Sequence, residues 1–286
     1  MTVIALLLLL FSAFLHATWN LIAKQAGGGS IFVWLFNAAA SLIYFPVVLI
    51  MLPSTSLIPT WEAAFCMLGS ALLHIGYFLL LNKGYAAGDL SLVYPLARGI
   101  GPLLSSLVAI VVLGEQPTAI ALAGTCLIAV GLYFLLGQGA NLSKLSTSPA
   151  IPFAVVTGMF IAGYTIWDKV AVSTVAVPPT LMYWGTTVGQ TLLMLPYAVN
   201  NRTEIVAQWQ TKKRYILSVA VLCPLAYILV LTAMVFTPVS YVAPVREVSI
   251  LIGCYMGTRI LAEGDAKQRL TATAVILAGL FALSIG

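Results

Sequence analysis

Three charged side chains that interrupt apolar stretches are the first candidates for chemistry: Arg98, Arg246 and Glu247. Arg98 belongs to Tyr-Pro-Leu-Ala-Arg-Gly-Ile-Gly-Pro, and Arg246 and Glu247 follow Ala-Pro-Val in a later apolar run. A charge at membrane depth costs at least about 2.5 kcal/mol on insertion scales, so it usually faces a charged partner or a watery cavity. Because each stretch also contains proline, which frees a backbone carbonyl, the sequence predicts two broken helices around a central site.

The three charges have more than one interpretation. The planar fork of Arg98 could hold a carboxylate, a phosphonate or a sulfonate of a substrate, or it could form an internal ion pair with Glu247 or Asp168. Glu247 could carry a proton, because a buried carboxyl can take one up near neutral pH, or it could be a fixed counter-ion for Arg98. Neighbouring residues on a helix point about 100° apart, so we do not expect Arg246 and Glu247 to pair with each other.

Aromatic and polar residues recur at the spacing i, i+3 and i+4, which places each set on one face of a helix. An aromatic ring beside a polar group suits the lining of a cavity for a small polar metabolite, since the ring packs flat and the polar group orients the ligand. The alternative for Trp19 and Trp167 is the aromatic belt at the membrane surface. The two sets are His16, Trp19 and Asn20, and Tyr164, Trp167 and Asp168.

His74, Tyr77 and Phe78 share a third such face. His74 either contacts substrate or a proton, or it makes a hydrogen bond between helices. The candidate substrate-binding residues are His16, Trp19, Asn20, His74, Tyr77, Phe78, Tyr94, Arg98, Tyr164, Trp167, Asp168, Tyr227, Tyr241, Arg246 and Glu247. No HExxH, GxSxG or phosphate-binding loop occurs, so we expect no catalytic residue, no metal and no cofactor.

The composition places these residues in a multi-pass membrane protein. The chain has 286 residues, of which 61% are hydrophobic and 7% are charged, and its mean hydropathy is +1.05. A soluble domain would carry about 25% charged residues. The net charge of +5 is scattered over the ends of apolar segments, so it does not indicate a nucleic-acid partner.

Ten apolar segments are each close to the length that a membrane-spanning helix needs. Offset by 148 or 149 positions, the two halves match, for example at Pro95 and Pro244. We therefore expect an all-α membrane protein of two five-helix repeats, residues 1–140 and 149–286, and the odd number of spans makes the second repeat inverted. The predicted spans are 3–23, 31–52, 62–82, 90–113, 119–137, 150–171, 179–199, 214–235, 239–261 and 269–286, with a polar connection from about residue 200 to 214.

Lysine and arginine predict the orientation. The loops after odd-numbered spans hold ten of these residues and the loops after even-numbered spans hold none. Since cytoplasmic loops carry the excess of positive charge, the count places the odd loops in the cytoplasm and both termini outside.

Several motifs resemble those of the drug/metabolite transporter superfamily, EamA-like branch: His-Ala-Thr-Trp-Asn in the first span, Tyr-Pro-Leu-Ala-Arg in the fourth and Leu-Gly-Glu-Gln-Pro at the start of the fifth. The second repeat has Leu-Ala-Glu-Gly-Asp where the first has Leu-Gly-Glu-Gln-Pro. The resemblance implies a ten-helix bundle whose central cavity is lined by spans one, three and four and their repeat mates. It also implies cytoplasmic termini, in conflict with the charge count.

Together these features predict a secondary transporter of the bacterial inner membrane that moves a small anionic or zwitterionic metabolite by alternating access. An amino acid, an organophosphonate or a sulfonate would fit, with proton coupling and facilitated diffusion both open. One alternative is a quaternary amine such as choline, held by an aromatic cage of five rings, Trp19, Tyr77, Tyr94, Trp167 and Tyr227. Another is a membrane-embedded lipid-processing enzyme or scaffold. The expected partners are the small-molecule substrate, membrane lipid and protons, with the chain as a monomer or a homodimer.

Overall fold

The computed structural model describes residues 3–51, 60–112, 118–136, 149–237, 242 and 245–285, with the backbone alone for 102–112, 136, 283 and 284. All regular structure in this part of the chain is helical, as predicted. The helices are α1 Val3–Gln25, α2 Ser30–Met51, α3 Trp61–Ala87, α4 Leu90–Val112, α5 Ala119–Leu136, α6 Ala150–Ser173, α7 Pro179–Leu193, α8 Leu195–Asn200, α9 Arg202–Phe236, α10 Val248–Ile260 and α11 Ala266–Ile285.

Five of these helices, α1, α2, α3, α6 and α9, are long and apolar enough to cross a membrane. The predicted count of ten spans remains a prediction. The predicted seventh span, 179–199, is two helices, because α7 ends at Leu193 and α8 begins at Leu195. Pro196 explains the break: it cannot donate a hydrogen bond to the preceding turn, but it fits the first turn of a new helix.

The expectation of a broken fourth helix is wrong. α4 runs without interruption from Leu90 to Val112, through both Pro95 and Pro102. Each proline removes one backbone hydrogen bond, and tertiary packing keeps such a helix intact when neighbouring helices surround it. α4 packs against α5, α6 and α10. In the second broken segment, Pro244 lies outside the described residues.

The expected polar loop between residues 200 and 214 is also wrong. This stretch forms the first turns of α9, a helix of 35 residues. At about 1.5 Å per residue such a helix is about 52 Å long, well beyond a hydrocarbon core of about 30 Å. The stretch contains neither glycine nor proline, and Gln208 donates to Glu204 over 2.8 Å at the spacing i, i+4. Polarity alone therefore did not indicate a loop here.

Helices of the two halves contact each other in reciprocal pairs. α1 packs against α9 and α10, and its counterpart α6 packs against α3 and α4. α2 packs against α9 as α7 packs against α3, while α2–α7, α4–α10 and α5–α11 join counterpart helices. A two-fold axis between two repeats produces this reciprocity, whereas the inverted orientation of the second repeat stays a prediction.

Glycines show the same symmetry at the contact between α5 and α11. A Cβ atom on Gly131 would lie 2.8 Å from the backbone nitrogen of Ile276, and a Cβ atom on Gly279 would lie 2.7 Å from the backbone nitrogen of Ile128. Gly131 and Gly279, like Ile128 and Ile276, are 148 positions apart. Small residues of this kind let membrane helices approach closely, so both repeats use the same close packing.

The distribution of polarity is that of a membrane protein. Large apolar side chains are exposed on the outside, for example Leu42 at 76% and Ile50 at 79%. Charged side chains lie inside, with Arg98 at 2% and Asp168 at 1% exposure. Burying a charge is unfavourable unless it is paired or hydrogen-bonded, so the partners of these residues locate the candidate site.

Candidate functional site

Arg98 and Glu247 form the centre of the site. Arg98 projects from α4, and Glu247 lies in the turn immediately before α10. The guanidinium donates from Nε to Oε2 over 2.7 Å and from Nη2 to Oε1 over 2.6 Å. Both side chains are buried, so this two-point contact is shielded from solvent. The interpretation of Arg98 as a partner of Glu247 therefore describes the observed state.

Arg246 joins this pair. Its Nε lies 3.3 Å from Oε1 of Glu247, so the expectation that the two neighbours do not pair is wrong. The expectation assumed a regular helix, whereas Glu247 lies in a turn, and the long arginine side chain folds back to it. Nη1 of Arg246 is buried and has no hydrogen-bond partner. Two guanidinium groups thus share one carboxylate, which leaves one positive charge in excess.

His16 completes what we call the central cluster: His16, Arg98, Arg246 and Glu247. Trp19 Nε1, which can only donate, points at Nδ1 of His16 over 3.1 Å. In a neutral imidazole the proton is then on Nε2. Nε2 lies 3.5 Å from Nη1 of Arg98, which is also a donor. The central cluster therefore presents donors that lack an acceptor, and an anionic oxygen is the group that would satisfy them.

Neighbouring residues hold the central cluster in place. Tyr94 donates from its hydroxyl to Ser249 Oγ over 2.9 Å, which connects α4 to α10. Asn20 donates to the carbonyl of His16 over 2.7 Å and accepts from the hydroxyl of Tyr85 over 2.6 Å. Since both ends of its amide are engaged within the protein, Asn20 orients α1 in this state.

A second group, which we call the Asp168 cluster, consists of Ser70, His74, Asp168 and Tyr227. Tyr227 donates to Oδ2 of Asp168 over 2.9 Å. Nε2 of His74 lies 4.0 Å from the same Oδ2, beyond hydrogen-bond distance. Nδ1 of His74 contacts the carbonyl oxygen of Ser70 at 3.0 Å. Oδ1 of Asp168 is buried without a partner.

Aromatic rings enclose the Asp168 cluster. The ring of Tyr164 stacks on His74 with a centroid distance of 4.2 Å, and the rings of Tyr227 and Tyr183 approach His74 edge-on. Tyr77 lies 5.4 Å from Tyr164, and its buried hydroxyl has no hydrogen-bond partner. Phe78 contacts both His74 and Trp19, so its ring lies between the two clusters.

One predicted site residue, Trp167, is not brought to these clusters. Trp167 lies between α3 and α6, where its Nε1 donates to the carbonyl of Cys66 over 2.8 Å and its ring packs against the exposed Phe65. Trp19, at the matching repeat position, is fully buried beside His16 instead. Tyr241 lies outside the described residues.

The sequence prediction missed Glu263. This buried carboxylate accepts the backbone N–H groups of Leu90 and Ser91 over 3.0 and 2.9 Å and so caps the start of α4. Arg269 donates to Ser91 and, over 2.7 Å, to Asp89 at the same place. The match of Glu263 with Glu115 in the sequence, at an offset of 148, was a signal that could have identified Glu263. Within the described residues, no three His, Cys, Asp or Glu side chains are grouped to hold a metal ion.

Comparisons with known proteins agree with this architecture. The profile of the EamA-like transporter family matches residues 3–137 and, separately, 148–285. Among curated proteins, no sequence matches the chain. Thirteen chains of solved structures match its fold. One of them, titled "Crystal structure of protein", is 14% identical, has a TM-score of 0.62 and covers 98% of each chain, which supports the fold alone. The two profile matches span nearly the whole sequence, and the protein belongs to the EamA-like transporter family of multi-pass membrane proteins.

Proposed function

We propose that this transporter moves a small anionic or zwitterionic metabolite across the bacterial inner membrane by alternating access. One observation carries the proposal. Nη1 of Arg246 is a buried cationic donor without an acceptor, in a cluster where two guanidinium groups face one carboxylate. An unpaired buried charge is costly, and a carboxylate, phosphonate or sulfonate of the substrate would remove that cost.

His16 supports the same substrate class. Its Nε2–H and Nη1 of Arg98 are two donors that face each other at 3.5 Å. An anionic oxygen beside the two atoms, within hydrogen-bond distance of each, would accept from both, and Arg246 would add a third donor. Glu247 is the internal anion that the substrate would replace in part, so binding of the substrate and loosening of the contact between α4 and α10 become linked.

The reciprocal packing of the repeats supports alternating access. Arg98 and Glu247 belong to counterpart helices, α4 and α10, which pack against each other. A site between two symmetry-related elements can open towards either side of the membrane when one repeat moves against the other.

The central cluster argues against the quaternary-amine alternative. A permanent cation would be repelled by the excess positive charge of Arg98 and Arg246. Trp167, one of the five rings of the predicted cage, also lies elsewhere, against Phe65.

A thermal-shift screen tests the proposal. Purified protein is melted with acetate, methylphosphonate, taurine, alanine and choline, because a ligand that binds the folded state at 100 times its Kd stabilises it by about 2.7 kcal/mol. We expect at least one anionic or zwitterionic compound to raise the melting temperature of the wild type, but not that of Arg246→Gln. Lys169→Gln, which removes an exposed cation on α6, is the matched control and should respond like the wild type.

The compounds that bind are then tested for uptake into proteoliposomes. Uptake by the wild type and by Lys169→Gln, with loss in Arg246→Gln, is the expected result. A response to choline alone, or an anion response that Arg246→Gln retains, would contradict the proposed substrate class.

A further inference from the structure

The two histidines of the chain have opposite hydrogen-bonding surroundings. Around His16 there are too many donors, as described for the central cluster. Around His74 there are too many acceptors. Nδ1 of His74 lies 3.0 Å from the carbonyl oxygen of Ser70, and a carbonyl can only accept, so Nδ1 carries the proton of the neutral ring. Nε2 then has a free lone pair, and it faces Oδ2 of the Asp168 carboxylate at 4.0 Å.

Two basic atoms that face each other in a buried site need a cation between them. Oδ1 of Asp168 exposes almost no surface, and within the described residues no three His, Cys, Asp or Glu side chains are grouped here to hold a metal ion. A proton needs no additional volume. We infer that Asp168 and His74 form a proton-binding site. A proton from solution gives either imidazolium and carboxylate, joined as N–H···O, or imidazole and carboxylic acid, joined as O–H···N, when the two side chains approach from 4.0 Å to hydrogen-bond distance.

Glu247 is the less suitable proton carrier of the two buried carboxylates. It accepts two hydrogen bonds from Arg98 and contacts Arg246, so two cations hold it in the ionised form. Asp168 accepts a hydrogen bond from Tyr227 and interacts with the hydroxyl of Ser70, which are both neutral groups, and the neutral ring of His74 lies beyond hydrogen-bond distance. Protonation therefore removes far more favourable contact from Glu247 than from Asp168.

The groups that face Asp168 come from several helices. α3 contributes Ser70 and His74, and α9 contributes Tyr227. The charge of Arg246, in the turn before α10, also acts on Asp168. α7 contributes Tyr183, whose ring contacts both His74 and Tyr227. On α4, the nearby charge is Arg98, and it is engaged by Glu247.

The balance of buried charges links this proton site to the proposed function. The coupling rests on that proposed function, whereas the proton binding itself does not. Arg98 and Arg246 are balanced by Glu247 and Asp168 when both histidines are neutral. An anionic substrate at the central cluster would leave one uncompensated negative charge in the interior, and a proton at the Asp168–His74 pair would cancel it. The pair therefore makes the chain a symporter of a proton with a monovalent anion.

Nuclear magnetic resonance of ¹⁵N-histidine-labelled protein tests the proton site without any substrate. Only His16 and His74 contribute signals, since the chain has 2 histidines, and a His16→Gln variant assigns them. Exposed Asp and Glu side chains titrate at about pH 4, so a titration between about pH 6 and pH 8 avoids them. The expected spectrum shows His16 protonated on Nε2 and His74 protonated on Nδ1 at the alkaline end, and a change at Nε2 of His74 alone as the pH falls.

In Asp168→Asn, the amide supplies a permanent N–H to His74, so its Nε2 signal should no longer depend on pH in this range. Glu62→Gln, which neutralises an exposed carboxylate on the same helix as His74, is the matched control and should titrate like the wild type. If Asp168→Asn does not fold, Tyr227→Phe replaces it. Loss of the hydrogen bond from Tyr227 to the carboxylate should then move the transition of His74 to higher pH.

A transition at His74 that is unchanged in Asp168→Asn or in Tyr227→Phe overturns the inference, and so does a transition at His16 alone. These outcomes are independent of the ligand screen. A failed screen with a normal titration rejects the proposed substrate class, and a successful screen with no titration at His74 rejects the proton site.

Discussion

Arg98 and Glu247, which form the bidentate ion pair at the centre of the protein, occupy equivalent positions of the two repeats, 149 residues apart. One position therefore carries a cation in the first repeat and an anion in the second. The pair lies where the counterpart helices α4 and α10 meet, so it connects the two halves at their symmetry axis.

Exchange of the two charges tests this relationship. Arg98→Gln removes the bidentate partner of Glu247 and leaves only the contact with Arg246, and Glu247→Gln leaves two buried guanidinium groups without their anion. Each should lower the free energy of unfolding, Glu247→Gln by about 3–5 kcal/mol and Arg98→Gln by less. The double variant Arg98→Glu with Glu247→Arg should recover most of this loss, because the two positions are equivalent. The measurement is the melting temperature in detergent. For comparison, Asp89→Asn, which breaks the half-exposed pair with Arg269, should cost no more than about 1 kcal/mol.

The glycines between α5 and α11 provide a test of the packing. In Gly131→Ala, the new methyl group would lie 2.9 Å from the carbonyl oxygen of Ala272, and backbone cannot move aside as a flexible side chain can. We expect a loss of about 1–3 kcal/mol and a lower melting temperature. At Gly163 the nearest atom is a Leu73 methyl group at 3.7 Å, so Gly163→Ala should be tolerated. Equal losses in both variants would show that packing space does not determine the effect.

Glu263 should prove important for stability. Glu263→Ala leaves the backbone N–H groups of Leu90 and Ser91 buried without acceptors. Each unpaired group should lower the free energy of unfolding by about 1–3 kcal/mol. The exposed carboxylate Glu62 offers a control, since Glu62→Ala should change the melting temperature little. A melting temperature of Glu263→Ala equal to that of the wild type would mean that water replaces the carboxylate.

The orientation in the membrane is predicted from the charges alone. Lys24 and Lys83 lie near the ends of α1 and α3, and Arg202 and Lys212 lie at the start of α9. Because the count of lysine and arginine puts this side in the cytoplasm, a C-terminal alkaline phosphatase fusion should be active and a C-terminal green fluorescent protein fusion should be dark. The opposite pattern would agree with the orientation that the family resemblance implies.

The sequence predicted the class of fold, and it offered an ion pair of Arg98 with Glu247 as one of the open interpretations, for physical reasons that remain visible in it. Arginine and glutamate in apolar runs must find partners, and matched motifs at a constant offset indicate repeats. The sequence could not indicate which way an individual side chain faces. Trp19 and Trp167 have equivalent positions in the two repeats, yet Trp19 faces the interior and Trp167 packs on the outside of α3. The sequence also did not indicate that α4 and α9 are continuous helices, since packing keeps α4 helical through two prolines and α9 helical through a charged stretch.

The states of His16 and His74 were also beyond sequence analysis. Both are histidines in apolar helices, and only their neighbours distinguish them. Trp19 donates to one ring, and the carbonyl of Ser70 accepts from the other. The proposed anion site and the proposed proton site rest on those two contacts.

The positions of the site residues along their helices give each cluster a depth in the membrane. Arg98 lies eight residues from the start of α4 at Leu90, about 12 Å from the lysine- and arginine-rich surface. Asp168 lies five residues from the end of α6 at Ser173, about 8 Å from the opposite surface. In a core of about 30 Å, a proton that enters from that opposite surface crosses about a quarter of the electric field to reach Asp168, whereas an anion from the same side crosses more than half to reach Arg98. The transmembrane voltage would therefore act with unequal strength on the two charges, so single steps of the proposed symport cycle would depend on the membrane potential even though the whole cycle is neutral.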